Sequence, residues 1–192
     1  MDKRVAIFAS GEGTNAEHII QYFQKDPSIH VEMVVCNRKE AGVFARAGHL
    51  QTKTFYLPKK DIETPGKLLS LLEKYRIDFI VLAGFLLFVP SEVIARYPGR
   101  IVNIHPSLLP RHGGKGMYGD RVHEAVLAAG DKETGITIHY VNEHYDEGEI
   151  IFQAKVPVLP GDTPHDIATR VHELEYRYYP EIIRKLLSDE TC

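Results

Sequence analysis

Apolar runs of strand length and segments of helical spacing take turns along most of this chain. The runs rich in β-branched and apolar residues are RVAIFA (4–9), VEMVVC (31–36), TKTFYL (52–57), DFIVLAG (78–84) and RIVNIHP (100–106). Between them, NAEHIIQYFQK (15–25), AGVFARAGHL (41–50) and GKLLSLLEKY (66–75) carry the spacing of helices. Strands separated by helices predict a parallel sheet of right-handed βαβ units. Several of the strands are apolar almost throughout, as a sheet covered on both faces requires.

The pattern changes after residue 106. A glycine-rich loop, PRHGGKGMYGD, leads into a predicted helix at 120–130, followed by TGITIHYV (134–141) and EIIFQAKVPV (149–158). The connection between those two strands is too short for a crossover helix, so they are expected to form an antiparallel hairpin at the far end of the sheet. A closing helix is predicted over 163–187, with Thr163 as cap, Pro164 in the first turn and Ile167, Val171, Leu174 and Tyr178 as its apolar stripe. Pro180 should kink that helix or divide it in two. The fold class expected is therefore α/β: a Rossmann-like, mostly parallel sheet with helices on both faces, a C-terminal antiparallel hairpin and a long closing helix. No linker, repeat or low-complexity segment interrupts the pattern, so residues 1–192 are read as one domain.

Composition narrows the functional classes. The chain has 192 residues, 44% of them apolar and 26% charged, with a net charge of −3. That charge offers no general attraction to nucleic acid or to anionic membranes, and no basic stripe is present. The two cysteines, Cys36 and Cys192, make no disulfide framework and fit a reducing, cytoplasmic setting. The first apolar run is too short for a signal peptide or a membrane span.

Open α/β sheets bind ligands beyond the carboxyl ends of their strands, which directs attention to the strand ends. SGEGTN (10–15) follows the first strand and opens a helix. Gly11 and Gly13 let backbone N–H groups approach a ligand, and the helix start at Thr14 and Asn15 adds partial positive charge, so the loop reads as a monophosphate cradle. The competing reading is a tight turn with Thr14 or Asn15 as cap. GEGTNA also fits the dinucleotide pattern, but Asn37 and Arg38 stand where that pattern wants an acidic residue, and no G-K-[ST] follows.

The second strand end is NIHPSLLP (103–110), where period-2 alternation places Asn103 and His105 on one face. The acidic connection NEHYDEGE (142–149) lies within reach of the same edge. Asp146 in it is expected to hydrogen-bond the imidazole, raise its pKa and keep it cationic. An amide donor beside an imidazolium suits stabilisation of an oxyanion at an attacked carbonyl together with delivery of a proton to a poor leaving group. A bound amine would serve as nucleophile. HExxH and CxxC spacings, an EF-hand loop and a GxSxG elbow are all missing, so no metal is expected.

Taken in order, SGEGTN, LAGF (82–85), NIHPSLLP, TGITIHYV, YDEGEIIFQAKVPV and RVHELEYRYYP make the chain resemble the phosphoribosylglycinamide formyltransferases of purine biosynthesis over nearly its whole length. That resemblance implies transfer of a formyl group from 10-formyltetrahydrofolate, the co-substrate, to the amine of glycinamide ribonucleotide, with no metal. It implies that Asn103 and His105 polarise the formyl oxygen and handle the proton, with Asp146 fixing the histidine. The ribonucleotide would meet Gly11, Gly13, Thr14, Asn15, His172 and Glu175. The folate would lie between Leu86, Leu87, Phe88 and Val89 on one side and Asn142, Glu143, His144, Tyr145 and Asp146 on the other, against Asn103. Thr137 and His139 would line the same pocket, with Ser107 beside the catalytic pair. Phosphate recognition would centre on about 1–100 and folate chemistry on about 101–192.

The chain departs from that family's pattern in three places. Leu87 replaces a usual arginine, no arginine for the folate tail stands near Lys59, Lys60 and Asp61, and the loop from Pro110 to His123 is longer, with Lys115, Met117, Tyr118 and Arg121 in it. This loop is expected to shape the phosphate end of the substrate site. Relatives with the same catalytic set are the folate deformylase and the tRNA formyltransferase, whose extra domains do not fit in this length. A dinucleotide oxidoreductase and a non-catalytic nucleotide-binding module are the readings from other classes. The partners expected are small molecules, with the chain a monomer or a homodimer.

Overall fold

A computed structural model describes residues 2–189. Seven strands form one sheet: β1 (Lys3–Ala9), β2 (Ile29–Cys36), β3 (Lys53–Tyr56), β4 (Phe79–Leu82), β5 (Ile101–His105), β6 (Glu133–Tyr140) and β7 (Ile150–Pro157). They lie in the order β3-β2-β1-β4-β5-β6-β7. The first five are parallel, while β6 runs antiparallel to β5 and β7 antiparallel to β6. The helices are α1 (Thr14–Phe23), α2 (Val43–His49), α3 (Lys59–Ile62), α4 (Lys67–Lys74), α5 (Ser91–Arg96), α6 (Asp120–Ala128) and α7 (Pro164–Asp189). The predicted mostly parallel sheet, terminal hairpin and long closing helix are all present.

Period-2 alternation along β1 sorts its side chains onto the two faces. Val5, Ile7 and Ala9 join Ile19, Phe23, Val126, Val171 and Ile183 in one core cluster, beneath α1, α6 and α7. Ala6 and Phe8 join Leu68, Leu72, Val93 and Tyr97 in the other, beneath α4 and α5. The strand is thus buried on both sides, which is why it reads as a continuous apolar run. The order of connections reverses between β1 and β4, so a crevice opens at the carboxyl ends of β1, β4 and β5.

The closing helix differs from its predicted form in two respects. Thr163 does cap it: its Oγ accepts the Asp166 N–H at 3.2 Å, and Asp166 Oδ2 accepts the Thr163 N–H at 2.8 Å. Pro180, however, lies inside one helix rather than dividing it. Tyr179 beside it is fully buried and donates its hydroxyl toward the Leu82 and Val102 carbonyls at 2.9 and 3.2 Å, which ties this part of the helix to the sheet. The buried stripe is Ile167, Val171, Glu175, Tyr179 and Ile183, whereas Leu174 and Tyr178 are only half-buried. A carboxyl group therefore occupies a core-facing position.

Cys36 is a free, buried thiol, and Cys192 lies outside the described residues. None of the described helices is long and apolar enough to cross a membrane.

Candidate active site

The crevice beyond the strand ends is a cavity of about 770 Å³. That volume suits small-molecule ligands. At one end lies the loop after β1. Gly13 has φ +77°, a conformation that favours glycine, and a Cβ there would fall 2.4 Å from Val43 Cγ2. Neither Thr14 nor Asn15 caps α1: the cap position is Gly13, and no side chain bonds the first-turn N–H groups. Those donors are left to face the cavity. Asn15 instead donates its amide to Glu175 Oε2 at 2.8 Å, joining α1 to α7. Burial pushes the Glu175 carboxyl up to about 7, against the lowering effect of that hydrogen bond.

At the centre, β5 and β6 set the chemistry. Asn103 stands opposite His139 in the antiparallel register, and its amide donates to His139 Nε2 at 3.1 Å. His139 Nδ1 lies 2.9 Å from the Tyr140 carbonyl, which can only accept, so Nδ1 carries the ring proton and Nε2 accepts. One N–H of the Asn103 amide is engaged in this way, and the second remains for a ligand.

His105 Nδ1 lies 3.5 Å from Asp146 Oδ2. Asp146, in the connection between β6 and β7, has φ 55°. Such backbone in a residue with a β-carbon is found where the surroundings enforce it. Here the Gly114 N–H donates to Asp146 Oδ2 at 2.9 Å, and His139 Nε2 is 3.6 Å from Oδ1. Burial pushes the Asp146 carboxyl up, but the donors set around it, the Gly114 N–H among them, outweigh it and hold the group below its ordinary range. For His105 the balance differs from the expectation of a resting cation. Burial is the largest influence and lowers its pKa, despite the opposing Asp146 charge and the His112 carbonyl. The resting pair is thus a neutral imidazole beside a carboxylate.

Beyond this centre the cavity is lined by Leu86, Leu87, Phe88 and Val89 on one wall and by Asn142, His144 and Tyr145 on the other. Phe88 and Tyr145 meet edge to face across it with centroids 5.1 Å apart. Glu143 is absent from that lining. So are Ser107 and Thr137, for a visible reason: Thr137 Oγ1 donates to the Ser107 carbonyl at 2.7 Å and accepts the Leu109 N–H at 2.9 Å. Thr137 braces the turn after β5 and does not line the pocket. Asn103, His105, Asp146, Gly11, Gly13, Thr14, Asn15, His139, His172 and Glu175 all reach the cavity.

Among the lining residues outside the predicted set, two groups bear on the chemistry. The long loop contributes Gly114, Lys115, Met117, Tyr118 and Arg121. His123 on α6 is the second addition: it is 2% exposed, and its Nδ1 is buried without a hydrogen-bond partner. Burial, reinforced by His172, lowers its pKa to about 4. Its position in an apolar helical stripe makes it look like packing in the sequence.

The sequence model described as "Formyl transferase" matches residues 3–183 of this chain. The chain belongs to the formyl transferase family. A curated family member, the chloroplastic phosphoribosylglycinamide formyltransferase of Arabidopsis thaliana, is 41% identical over 94% of this chain and 64% of its own length. The phosphoribosylglycinamide formyltransferase of Bacillus subtilis is 34% identical over 96% of this chain and 95% of its own. Among solved structures, glycinamide ribonucleotide transformylase 1 of Geobacillus kaustophilus superposes with a TM-score of 0.88 at 36% identity, covering 97% of this chain and all of that one. The chain spans just under two thirds of the length of the plant relatives it matches. The family fold agrees with the Rossmann-like sheet described above.

Proposed function

We propose that this protein transfers the formyl group of 10-formyltetrahydrofolate to the amine of glycinamide ribonucleotide, in the cytoplasm, with no metal. The observation that carries the reading is the convergence of Asn103, His105 and Asp146 at the middle of one cavity, between an uncapped helix start and an aromatic mouth. The ribonucleotide phosphate would take the α1 N–H groups behind Gly11 and Gly13, where both backbone donors and helix charge favour an anion. Its ribose would meet Glu175 and His172, and Lys115 and Arg121 of the long loop would add positive charge at that end. The pteridine would lie between Leu86–Val89 and Asn142–Asp146, under Phe88 and Tyr145. Each ligand would draw on both halves of the chain. Since Leu87 takes the place of an arginine, recognition of the folate tail rests on other residues.

In this reading the substrate amine attacks the formyl carbon, and the free N–H of Asn103 donates to the oxygen as negative charge develops. The attacking nitrogen must lose a proton and the departing folate nitrogen must gain one. Neutral His105 takes the first on Nδ1, Asp146 stabilises the imidazolium so formed, and the ring then returns the proton to the leaving nitrogen. The formyl carbon gains the amine nitrogen and loses the folate nitrogen, so the proton count closes without a metal or an external base.

Incubation with glycinamide ribonucleotide and 10-formyltetrahydrofolate, following loss of the formyl donor and appearance of the formylated ribonucleotide, tests this directly. Release of formate with no ribonucleotide product would make the protein a deformylase-like hydrolase instead.

A further inference from the structure

His105 Nε2 is met by the loop after β5, which Asp131 beyond α6 anchors, and neither His112 nor Asp131 lines the cavity. His105 Nε2 lies 2.8 Å from the carbonyl oxygen of His112. A carbonyl only accepts, so Nε2 holds the proton of the neutral ring and Nδ1 is the lone pair that faces Asp146. His112 presents this carbonyl from a left-handed backbone conformation, φ 54°, which is unfavourable for a residue with a β-carbon.

Asp131 holds His112 in that conformation. It follows α6, its side chain is 5% exposed, and Oδ2 lies 2.7 Å from His112 Nε2. Oδ1 accepts from the guanidinium of Arg111. The Arg111 carbonyl in turn accepts the Ser107 hydroxyl at 2.7 Å. Two consecutive side chains are therefore clamped by one buried carboxylate, and the His112 carbonyl that follows them is directed at the ring. Gly113, the next residue, is confined as well, since a Cβ on it would fall 2.5 Å from Leu109 Cδ2. None of Asp131, Arg111 or His112 is among the residues lining the cavity.

We infer that Asp131 is a positioning residue for the catalytic step: through Arg111 and His112 it fixes His105 as the Nε2–H tautomer with Nδ1 turned to Asp146. The inference rests on the reading of His105 as the proton carrier. Without the clamp, the His112 carbonyl swings away and the ring proton is free to move to Nδ1, where it donates to Asp146 and blocks the nitrogen that must accept a proton. The side chains of Arg111, His112 and Asp131 lie outside the cavity lining, so the loss is expected on turnover.

The test reads the tautomer itself. Two-bond 1H–15N correlation spectra of the ligand-free, 15N-labelled protein distinguish a protonated Nε2 from a protonated Nδ1 on His105, and steady-state kinetics give kcat and KM separately. In the unaltered protein the Nε2–H tautomer is expected. In Asp131→Ala, and in His112→Phe where the backbone carbonyl stays but its side-chain anchor is gone, the ring should populate the other tautomer and kcat should fall about 10- to 100-fold, with both KM values within about threefold. An unchanged tautomer in either folded variant, whatever the kinetics, overturns the positioning role. An Nδ1–H ring in the unaltered protein overturns it as well. If the unaltered protein shows the expected tautomer and no formyl transfer, the functional reading fails while the clamp stands.

Discussion

The two ends of the cavity are built in opposite ways. The loop after β1 is local: within a few consecutive residues, Gly13 takes φ +77° and the helix begins with its N–H groups uncapped, so the chain's own backbone makes the ligand surface. The catalytic centre is assembled from afar, with Asn103 and His105 on β5, His139 on β6, and Asp146 held at φ 55° by an amide from the long loop. A local site tolerates little change in backbone, because backbone is all it has. A dispersed site depends on side chains whose roles are separable.

That contrast sets the expected consequences of breaking each end. Asn103→Ala removes the one free amide donor to the developing oxyanion and leaves the fold and both binding ends in place. It should lower kcat by about 10²–10³-fold with little change in KM, as loss of an oxyanion donor does. A variant that keeps more than a tenth of its turnover would remove Asn103 from the mechanism. Gly13→Ala should act the other way round. The left-handed backbone and the close approach to Val43 together predict about 2–4 kcal/mol of lost stability. KM for the ribonucleotide should rise, while the chemical step of whatever protein remains folded should change little. Urea unfolding with single-turnover kinetics separates the two.

The same contrast explains what was legible in the sequence. Periodicity identified the seven strands, because burial on one or both faces leaves a direct imprint on which positions are apolar. The short helices α3 and α5 left no such imprint: four and six residues give too little period to read. Asn103 and His105 were visible as an alternating polar pair at a strand end, and Asp146 as a carboxylate in the adjoining connection. The resemblance to known formyltransferases then assigned them roles. The protonation state of His105 was not legible, because it depends on how deeply the ring is buried, and burial depth is a property of the assembled core. Nor was the helper role of Asp131, which is joined to His105 only through a backbone carbonyl. The resemblance put Thr137 in the pocket, but its hydroxyl braces the turn after β5 instead.

Glu175 joins the two kinds of construction, since it lies on the buried stripe of α7 and touches Asn15 of the local site. Its folded pKa of about 7 stands above the ordinary 4.5, so folding favours the protonated form. Stability from this group is present in full below about pH 4.5 and is lost as the pH rises through 7. The difference amounts to about 3 kcal/mol at most. Glu175→Gln cannot ionise, so relative to the unaltered protein it should gain stability steadily from pH 4.5 to 7 and hold a constant advantage above. Parallel stability curves for the two proteins across that range would show that Glu175 is already ionised in the folded state.

His123 gives the smallest and most discriminating effect. Its Nδ1 is enclosed with no partner, and an unprotonated nitrogen is less costly to leave unpaired than an N–H, so the proton is expected on Nε2, the ring's other edge. The folded pKa of about 4 lies below the ordinary 6.5, so the unfolded chain binds the proton first. The ring therefore weakens the fold as the pH falls from 6.5 toward 4, by about 3 kcal/mol at the lower limit. His123→Phe keeps the approximate volume and removes both the unpaired nitrogen and the proton. At pH 7.5 its stability should be within about 1 kcal/mol of the unaltered protein, and on the favourable side if the unpaired nitrogen carries its usual cost. At pH 5 the variant should be clearly the more stable. Were its Nε2–H to meet the ribonucleotide, KM for that substrate would rise about tenfold in the variant, with the folate KM unchanged. If His123→Phe instead loses more than about 2 kcal/mol at pH 7.5 and keeps its KM values, the ring is a packing element of the core shared by α6 and α7. The dispersed site would then end at His105 and His139.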